Sequence, residues 1–177
     1  MQINVALELD PFSLPLNVTS ALYYYNEGKF NESLDACRKA LVINPDFDNT
    51  YLICFFNYIK QGEDIKASEI LQQLMLRDTL TRNIANVIKE VYSKSGINGL
   101  LGMMIELELN KTKSSPTAIA WGYAILAKKE ETLNWLEKAL EEHTTDLPRI
   151  NNSIDFNYLR SEPRFMSILK QMELSEY

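Results

Sequence analysis

The chain has 177 residues, which is enough for one compact domain and few for two. Its 18 Lys and Arg against 24 Asp and Glu give a net charge of −6, which argues against a surface that binds nucleic acids through their phosphates. With 46% apolar residues it can bury a hydrophobic core, and six glycines and six prolines are few for an all-β fold. The composition therefore favours a folded, helical protein.

The sequence shows no sign of membrane insertion or secretion. It contains no run of about 18 apolar residues, the length that a membrane-spanning helix requires. The first eleven residues lack the basic and apolar segments of a signal peptide. Two cysteines, Cys37 and Cys54, stand within apolar helical patterns and are expected to be buried free thiols. We therefore expect a cytoplasmic protein.

A spacing of 34 residues recurs along the chain. It separates two prolines, three tyrosines and three glycines, namely Pro11 and Pro45, then Tyr24, Tyr58 and Tyr92, then Gly28, Gly62 and Gly96. A period of about 34 is typical of solenoids built from helix–turn–helix repeats. Each helix of such a repeat has one apolar face, and stacking of the repeats buries these faces in a continuous core.

In chain order, the first complete repeat predicts a helix over about 14–27 and a second over about 31–43. Asn31 is expected to cap the second helix through its side-chain oxygen. The pair Asn44 and Pro45 is expected to end that helix, because proline disfavours helical backbone in the residue before it.

The second repeat follows the same plan, and Asp64 is expected to cap its second helix. The third repeat is degenerate, since the helix predicted over about 98–110 lacks the small residues of the others. Within it, Gly99 and Gly102 are expected to permit close helix packing or a bend. Ser115 followed by Pro116 is a favourable helix start and predicts where a fourth repeat begins.

These residues resemble the tetratricopeptide repeat, whose pattern has a small residue, a tyrosine three later, a glycine in the turn, a small residue, an aromatic or apolar residue, an alanine and a closing proline. The first repeat matches it at Ala21, Tyr24, Gly28, Ser33, Cys37, Ala40 and Pro45. The resemblance implies an all-α fold, a right-handed α-α superhelix that ends in a C-terminal capping segment. It also implies that the first helix of each repeat lines a concave groove.

On this resemblance the chain forms one helical domain and belongs to a longer protein. The segments are the remnant of a preceding repeat (1–11), two repeats (12–45 and 46–79), a degenerate repeat (80–113), a further repeat (114–144) and a cap (145–177). The apolar residues expected to form the cap are Phe156, Leu159, Phe165, Leu169 and Met172. The tail also resembles tetratricopeptide regions that end bacterial winged-helix transcriptional regulators, nucleotide cyclases and Ser/Thr kinases.

No arrangement of residues in the sequence predicts catalysis. The single histidine, His143, follows a helix beside two glutamates and is expected to have a structural or solvent-facing position. The glycine-rich stretch over 96–102 lacks the lysine, the spacing and the preceding strand of a phosphate-binding loop. We therefore expect no enzyme activity, no metal and no cofactor.

The resemblance places ten residues on the groove, namely Val18, Leu22, Tyr25, Asn26, Asn49, Leu52, Phe56, Lys60, Trp121 and Ile125. Family members that hold acidic peptide tails use Lys and Asn clamps there, whereas this chain has largely apolar residues at those positions. An apolar groove with aromatic residues favours an amphipathic helix or an extended peptide as the ligand. The alternative is that these side chains pack against neighbouring helices.

The leading hypothesis is a non-enzymatic protein–protein interaction module, the regulatory arm of a bacterial regulator. Its partner would be a protein, a peptide or another domain of the same chain. One alternative is a self-association module, a homodimer formed through the apolar edge at Val5, Leu7 and Leu9. A second alternative is a small-molecule sensor, although the sequence offers no converging polar cluster for a ligand.

Overall fold

A computed structural model describes residues 2–77 and 81–172 of the chain. Within these ranges all regular secondary structure is helical and no strand occurs, so the prediction of an all-α protein is confirmed. The helices are α1 (Gln2–Leu9), α2 (Leu14–Asn26), α3 (Phe30–Ile43), α4 (Asp48–Lys60), α5 (Asp64–Arg77), α6 (Arg82–Leu109), α7 (Pro116–Ile125), α8 (Lys129–Glu141) and α9 (Pro163–Gln171). Two 3₁₀ helices, Leu147–Asn152 and Ile154–Leu159, lie between α8 and α9.

The chain divides into an N-terminal unit (residues 1–100) and a C-terminal unit (residues 101–177), with the boundary inside α6. None of the helices within the described ranges is both long enough and apolar enough to cross a membrane.

In the N-terminal unit, consecutive helices pack against one another. The α2 helix packs against both α3 and α4, and α4 also packs against α5. Small and apolar side chains from α2, α3 and α4 form the core of this packing: Ala21, Leu34, Ala36, Cys37, Ile53 and Cys54. On α3, Leu34 and Cys37 are three residues apart and share one face of the helix, as the helical periodicity of the sequence predicts.

The backbone turn that ends α2 and α4 explains why tyrosine and glycine recur 34 residues apart in these two repeats. Gly28 and Gly62 have φ angles of 71° and 70°, the left-handed conformation that glycine adopts without strain. The carbonyl of Tyr24 accepts a hydrogen bond from the backbone N–H of Lys29 (2.8 Å) at the end of α2. Tyr58 accepts the equivalent bond at the end of α4. Each tyrosine–glycine pair therefore marks the same type of helix end, a Schellman turn.

A second contact repeats with the same period at the start of the first helices. The side-chain Nδ2 of Asn17 donates to the carbonyl of Pro11 (3.0 Å), and the hydroxyl of Tyr51, 34 positions later, donates to the carbonyl of Pro45 (3.1 Å). Two different side chains thus tie the first helix of a repeat to the proline that precedes it.

The helix starts confirm some predicted caps and correct others. Ser115 caps α7, and its hydroxyl accepts a hydrogen bond from the backbone N–H of Ala118, as predicted. Asn44 ends α3, also as predicted.

The prediction for Asn31 is wrong, because the glycine turn leaves only one residue before α3, which begins at Phe30. Asn31 Oδ1 instead accepts a hydrogen bond from Gln61 Nε2 (2.8 Å). Asp64 likewise lies in the first turn of α5 and not before it.

The third glycine of the series behaves differently. Gly96 interrupts α6 with φ 59° and ψ −155°, a backbone conformation essentially limited to glycine. Beyond it the chain turns so closely that a Cβ atom on Gly99 would lie 2.5 Å from the Cβ of Ser95, which confirms a bend here. The space around Gly102 is open, so the expectation of close packing is wrong for that residue.

In the C-terminal unit, α7 packs against α8, and α8 packs against α9. The predicted cap residues Phe156, Leu159, Phe165 and Leu169 are buried, and Met172 is partly buried against the same core. Buried side chains of α7 and α8 complete this core, namely Ala120, Ala124, Leu133, Leu136 and Ala139. Gly122 permits a close approach that the sequence did not predict, since a Cβ atom there would lie 2.6 Å from Cγ1 of Ile105.

Candidate functional site

Charged residues are segregated between alternate helices. The α2 and α7 helices contain none, and α4 has only Asp48 and Lys60 at its two ends. In contrast, α3, α5 and α8 carry acidic and basic residues along their length. Helix faces that meet only water usually carry charge, whereas the centres of protein interfaces are depleted of it. The segregation is visible in the sequence, whereas the groove was predicted from positions within the repeat and not from the distribution of charge.

The predicted groove residues of the N-terminal unit lie at spacings of three and four along α2 and α4, so each set forms one stripe on its helix. We call the seven that are at least partly exposed the α2–α4 face: Val18, Leu22, Asn26, Asn49, Leu52, Phe56 and Lys60. Asn49 and Lys60 are exposed, and the other five are half-buried. Val18 and Leu22 pack on one side against the core while remaining partly open to solvent.

Tyr25 does not belong to this face. Its side chain is 4% exposed, and its ring centroid lies 5.9 Å from that of Phe30. Tyr25 is therefore part of the packing between α2 and α3 and is inaccessible to a partner. Helical spacing alone placed it beside Leu22, because the sequence does not reveal which flank of α2 meets α3.

Beneath the α2–α4 face, buried polar side chains connect three helices. Asn57 Nδ2 donates to the hydroxyl of Ser33 (2.9 Å) and to the carbonyl of Ile53 (2.8 Å). The Ser33 hydroxyl donates to the carbonyl of Ala21 (2.7 Å), so α4, α3 and α2 are linked in sequence. Both polar side chains are fully buried. Because buried hydrogen bonds of this kind fix the relative register of packed helices, they hold the α2–α4 face in one geometry.

Trp121 is half-buried and contacts the 3₁₀ segments that follow α8. Its indole Nε1 donates to Oδ2 of Asp155 (2.7 Å), a side chain that is only 3% exposed. The indole ring also meets the ring of Phe156 edge to face at 5.0 Å, and the guanidinium of Arg149 lies 5.7 Å from its centroid. Trp121 thus anchors the 3₁₀ segments to α7. The sequence gives no signal for this contact, because its two partners are 34 residues apart.

Ile125, the other predicted groove residue of the C-terminal unit, is half-buried near the end of α7.

The two cysteines are buried and the single histidine lies in an exposed turn. Cys37 and Cys54 are both buried free thiols, as predicted. A hydrogen bond with the Cys54 thiol, together with burial, raises the pKa of the Cys37 thiol far above its ordinary value, so it stays protonated and unreactive. His143 is exposed and occupies the left-handed turn after α8, with φ 51°. Across residues 2–77 and 81–172, no three His, Cys, Asp or Glu side chains are grouped to hold a metal ion.

Comparisons of the chain with protein-family models, with curated proteins and with solved structures found no match.

Proposed function

We propose that the chain is a non-enzymatic protein–protein interaction module of the tetratricopeptide type, with its helix pairs stacked as a right-handed superhelix. The α2–α4 face would bind an uncharged, apolar segment of a partner protein or of another domain of the same chain. The observation that carries this proposal is the absence of charge from the middle of α2 and α4, while side chains on the same helices remain partly open to solvent.

Several features of the packing support the proposed architecture. The first helix of one repeat contacts the first helix of the next, since α2 packs against α4. Gly28 and Gly62 end these helices with the same turn, so the two repeats share one local geometry. The resemblance described above further implies the regulatory arm of a cytoplasmic bacterial regulator, and this forms part of the proposal.

The α2–α4 face is chemically selective in this proposal. Leu52 and Phe56 offer apolar surface, while Asn26 and Asn49 offer amides that can hydrogen-bond a peptide backbone. Its one charged member is Lys60, at the end of α4. An uncharged amphipathic segment suits this set, because charged ligand groups would lose hydration there without a compensating ion pair along most of the face.

A display library of random peptides, selected against the full chain, tests the proposal. We expect enriched peptides to be uncharged and rich in apolar and aromatic residues. Phe56→Ala should weaken their binding by about tenfold or more, as is usual for an aromatic anchor. Val42→Ala is the matched control, because Val42 is an apolar side chain on α3 that is 84% exposed. Circular dichroism of both variants verifies that they remain folded.

Two results would contradict the proposal. One is the enrichment of strongly charged peptides, for which the α2–α4 face offers Lys60 alone as a charged group. The other is equal loss of binding in Phe56→Ala and Val42→Ala, which would show that the peptides do not depend on this face.

A further inference from the structure

The helix α1 leaves apolar side chains open to solvent. Val5 is 57% exposed and Leu9 is 83% exposed, and they lie one turn apart on the same side of the helix. Phe12, which is 79% exposed, follows in the turn that leads to α2. We call these three residues the α1 patch. Large apolar side chains that are exposed together are typical of an interaction surface.

Exposed carboxylates stand directly beside the α1 patch. Glu8 and Asp10 flank Leu9 in the sequence, and both are exposed. Neither carboxylate forms an ion pair or a side-chain hydrogen bond with the residues that the structure describes, whereas Asp35 pairs with Arg38 and Glu27 with Lys29. The α1 patch is thus bordered by two negative charges that no cation among the described residues neutralises.

A cleft of about 450 Å³ between α1, α2 and α3 extends this negative character. Its lining residues include Glu8 and Glu32, the ammonium-bearing Lys39, and Asp35, whose carboxylate pairs with Arg38. Glu8 belongs both to the cleft wall and to the border of the α1 patch. Apolar side chains and negative charge are therefore presented side by side at one end of the N-terminal unit.

This combination discriminates between two occupants. A second copy of the chain that docked through Leu9 would bring the Glu8 and Asp10 carboxylates of both copies into one interface, and like charges in an interface are unfavourable. A basic amphipathic segment satisfies both features, since its apolar side chains cover the α1 patch while its Lys or Arg residues meet the carboxylates. We propose that α1 and the adjoining acidic cleft bind a basic amphipathic segment of a partner protein. This surface is distinct from the α2–α4 face, and the inference does not rest on the proposed function.

The probe is a fluorescent amphipathic helical peptide of leucine and lysine, titrated against the full chain by fluorescence anisotropy. Two double variants test the two halves of the surface, Leu9→Ala with Phe12→Ala, and Glu8→Gln with Asp10→Asn. We expect each to weaken binding by about tenfold, and added salt to weaken binding to the unaltered chain.

Matched controls separate this site from general attraction to an acidic protein. Val42→Ala with Ile65→Ala removes two largely exposed apolar side chains elsewhere, and Glu69→Gln with Glu141→Gln removes the same number of charges from α5 and α8. Both controls should bind like the unaltered chain, and a scrambled peptide of the same composition should bind at least about tenfold more weakly.

The inference is overturned if the control variants weaken binding as much as the test variants, or if the scrambled peptide binds equally well. It is also overturned if sedimentation shows a dimer that Leu9→Ala with Phe12→Ala dissociates, because a second copy would then cover the α1 patch. Phe56→Ala should leave the leucine–lysine peptide bound, so failure at the α1 patch and failure at the α2–α4 face are distinguishable.

Discussion

Two helices of the N-terminal unit (α2 and α4) and two of the C-terminal unit (α7 and α8) end with the same backbone turn but place different residues in it. Gly28 and Gly62 occupy the left-handed position in the N-terminal unit, whereas Ala127 and His143 occupy it in the C-terminal unit, with φ angles of 54° and 51°. The turns of both units also contain the same backbone hydrogen bond. Lys128 N–H donates to the carbonyl of Tyr123 (2.9 Å), just as Lys29 N–H donates to the carbonyl of Tyr24. The turn is therefore maintained by its hydrogen bonds even where the residue type disfavours it.

The two units also differ in the side-chain hydrogen bonds that join their helices. In the N-terminal unit the buried contacts are neutral, between Asn57, Ser33 and backbone carbonyls. In the C-terminal unit the corresponding tie joins the indole of Trp121 to the carboxylate of Asp155. Hydrogen bonds to charged groups are roughly twice as strong as neutral ones. The C-terminal unit thus tolerates strained turns while being held by a stronger side-chain contact.

The largest effect should come from removing that contact. Trp121→Phe should destabilise the chain by about 2–3 kcal/mol, because it removes the indole N–H and leaves the buried Asp155 carboxylate without that donor. Trp135→Phe is the matched control, since the Trp135 ring stacks under the Lys138 ammonium at 4.7 Å and its indole N–H donates to none of the residues that the structure describes. Urea unfolding followed by circular dichroism measures both. Equal loss of stability in the two variants would mean that Asp155 contributes nothing specific.

Exchange of the turn residues should give smaller effects of opposite sign. Gly62→Ala should destabilise by about 1 kcal/mol, because the left-handed backbone strains any residue with a Cβ, even though the space around Gly62 is open. Ala127→Gly should stabilise by about 0.5 kcal/mol, since relief of that strain exceeds the added flexibility of the unfolded chain. The midpoint of thermal unfolding should fall in the first variant and rise in the second. A fall in both would show that strain at Ala127 is absent.

The smallest effect should be electrostatic. Arg164 donates to both carboxylate oxygens of Glu137 (2.8 and 2.7 Å), and this hydrogen bonding holds the pKa of Glu137 below its ordinary value. Since the folded pKa is lowered, the contribution is present above the unfolded pKa of about 4.3 and is lost as the pH falls through the folded pKa. Arg164→Gln should therefore reduce stability slightly at neutral pH and leave it unchanged in strong acid. A difference from the unaltered chain that persists in strong acid would assign the effect to packing.

Local features of the fold were predictable from sequence, whereas contacts between distant segments were not. The helix end at Asn44 and the helix start at Ser115 depend on neighbouring residues, so the sequence indicated both correctly. The predicted cap at Asn31 was wrong because α3 begins one residue earlier, at Phe30. The start of α3 depends on the backbone conformation of the turn at Gly28, which the sequence does not reveal. The burial of Tyr25 and the anchoring of Trp121 depend on which elements pack together, and residue spacing carries no information about that.

The segregation of charge between alternate helices also has a kinetic consequence. Attraction between opposite charges raises the association rate of many protein pairs well above the unassisted range of about 10⁵–10⁶ M⁻¹ s⁻¹. A ligand that approaches the middle of α2 and α4 meets no charged side chain of those helices, so no ion pair with them accelerates its encounter. Differences in affinity at such a surface then arise almost entirely from the dissociation rate of the complex.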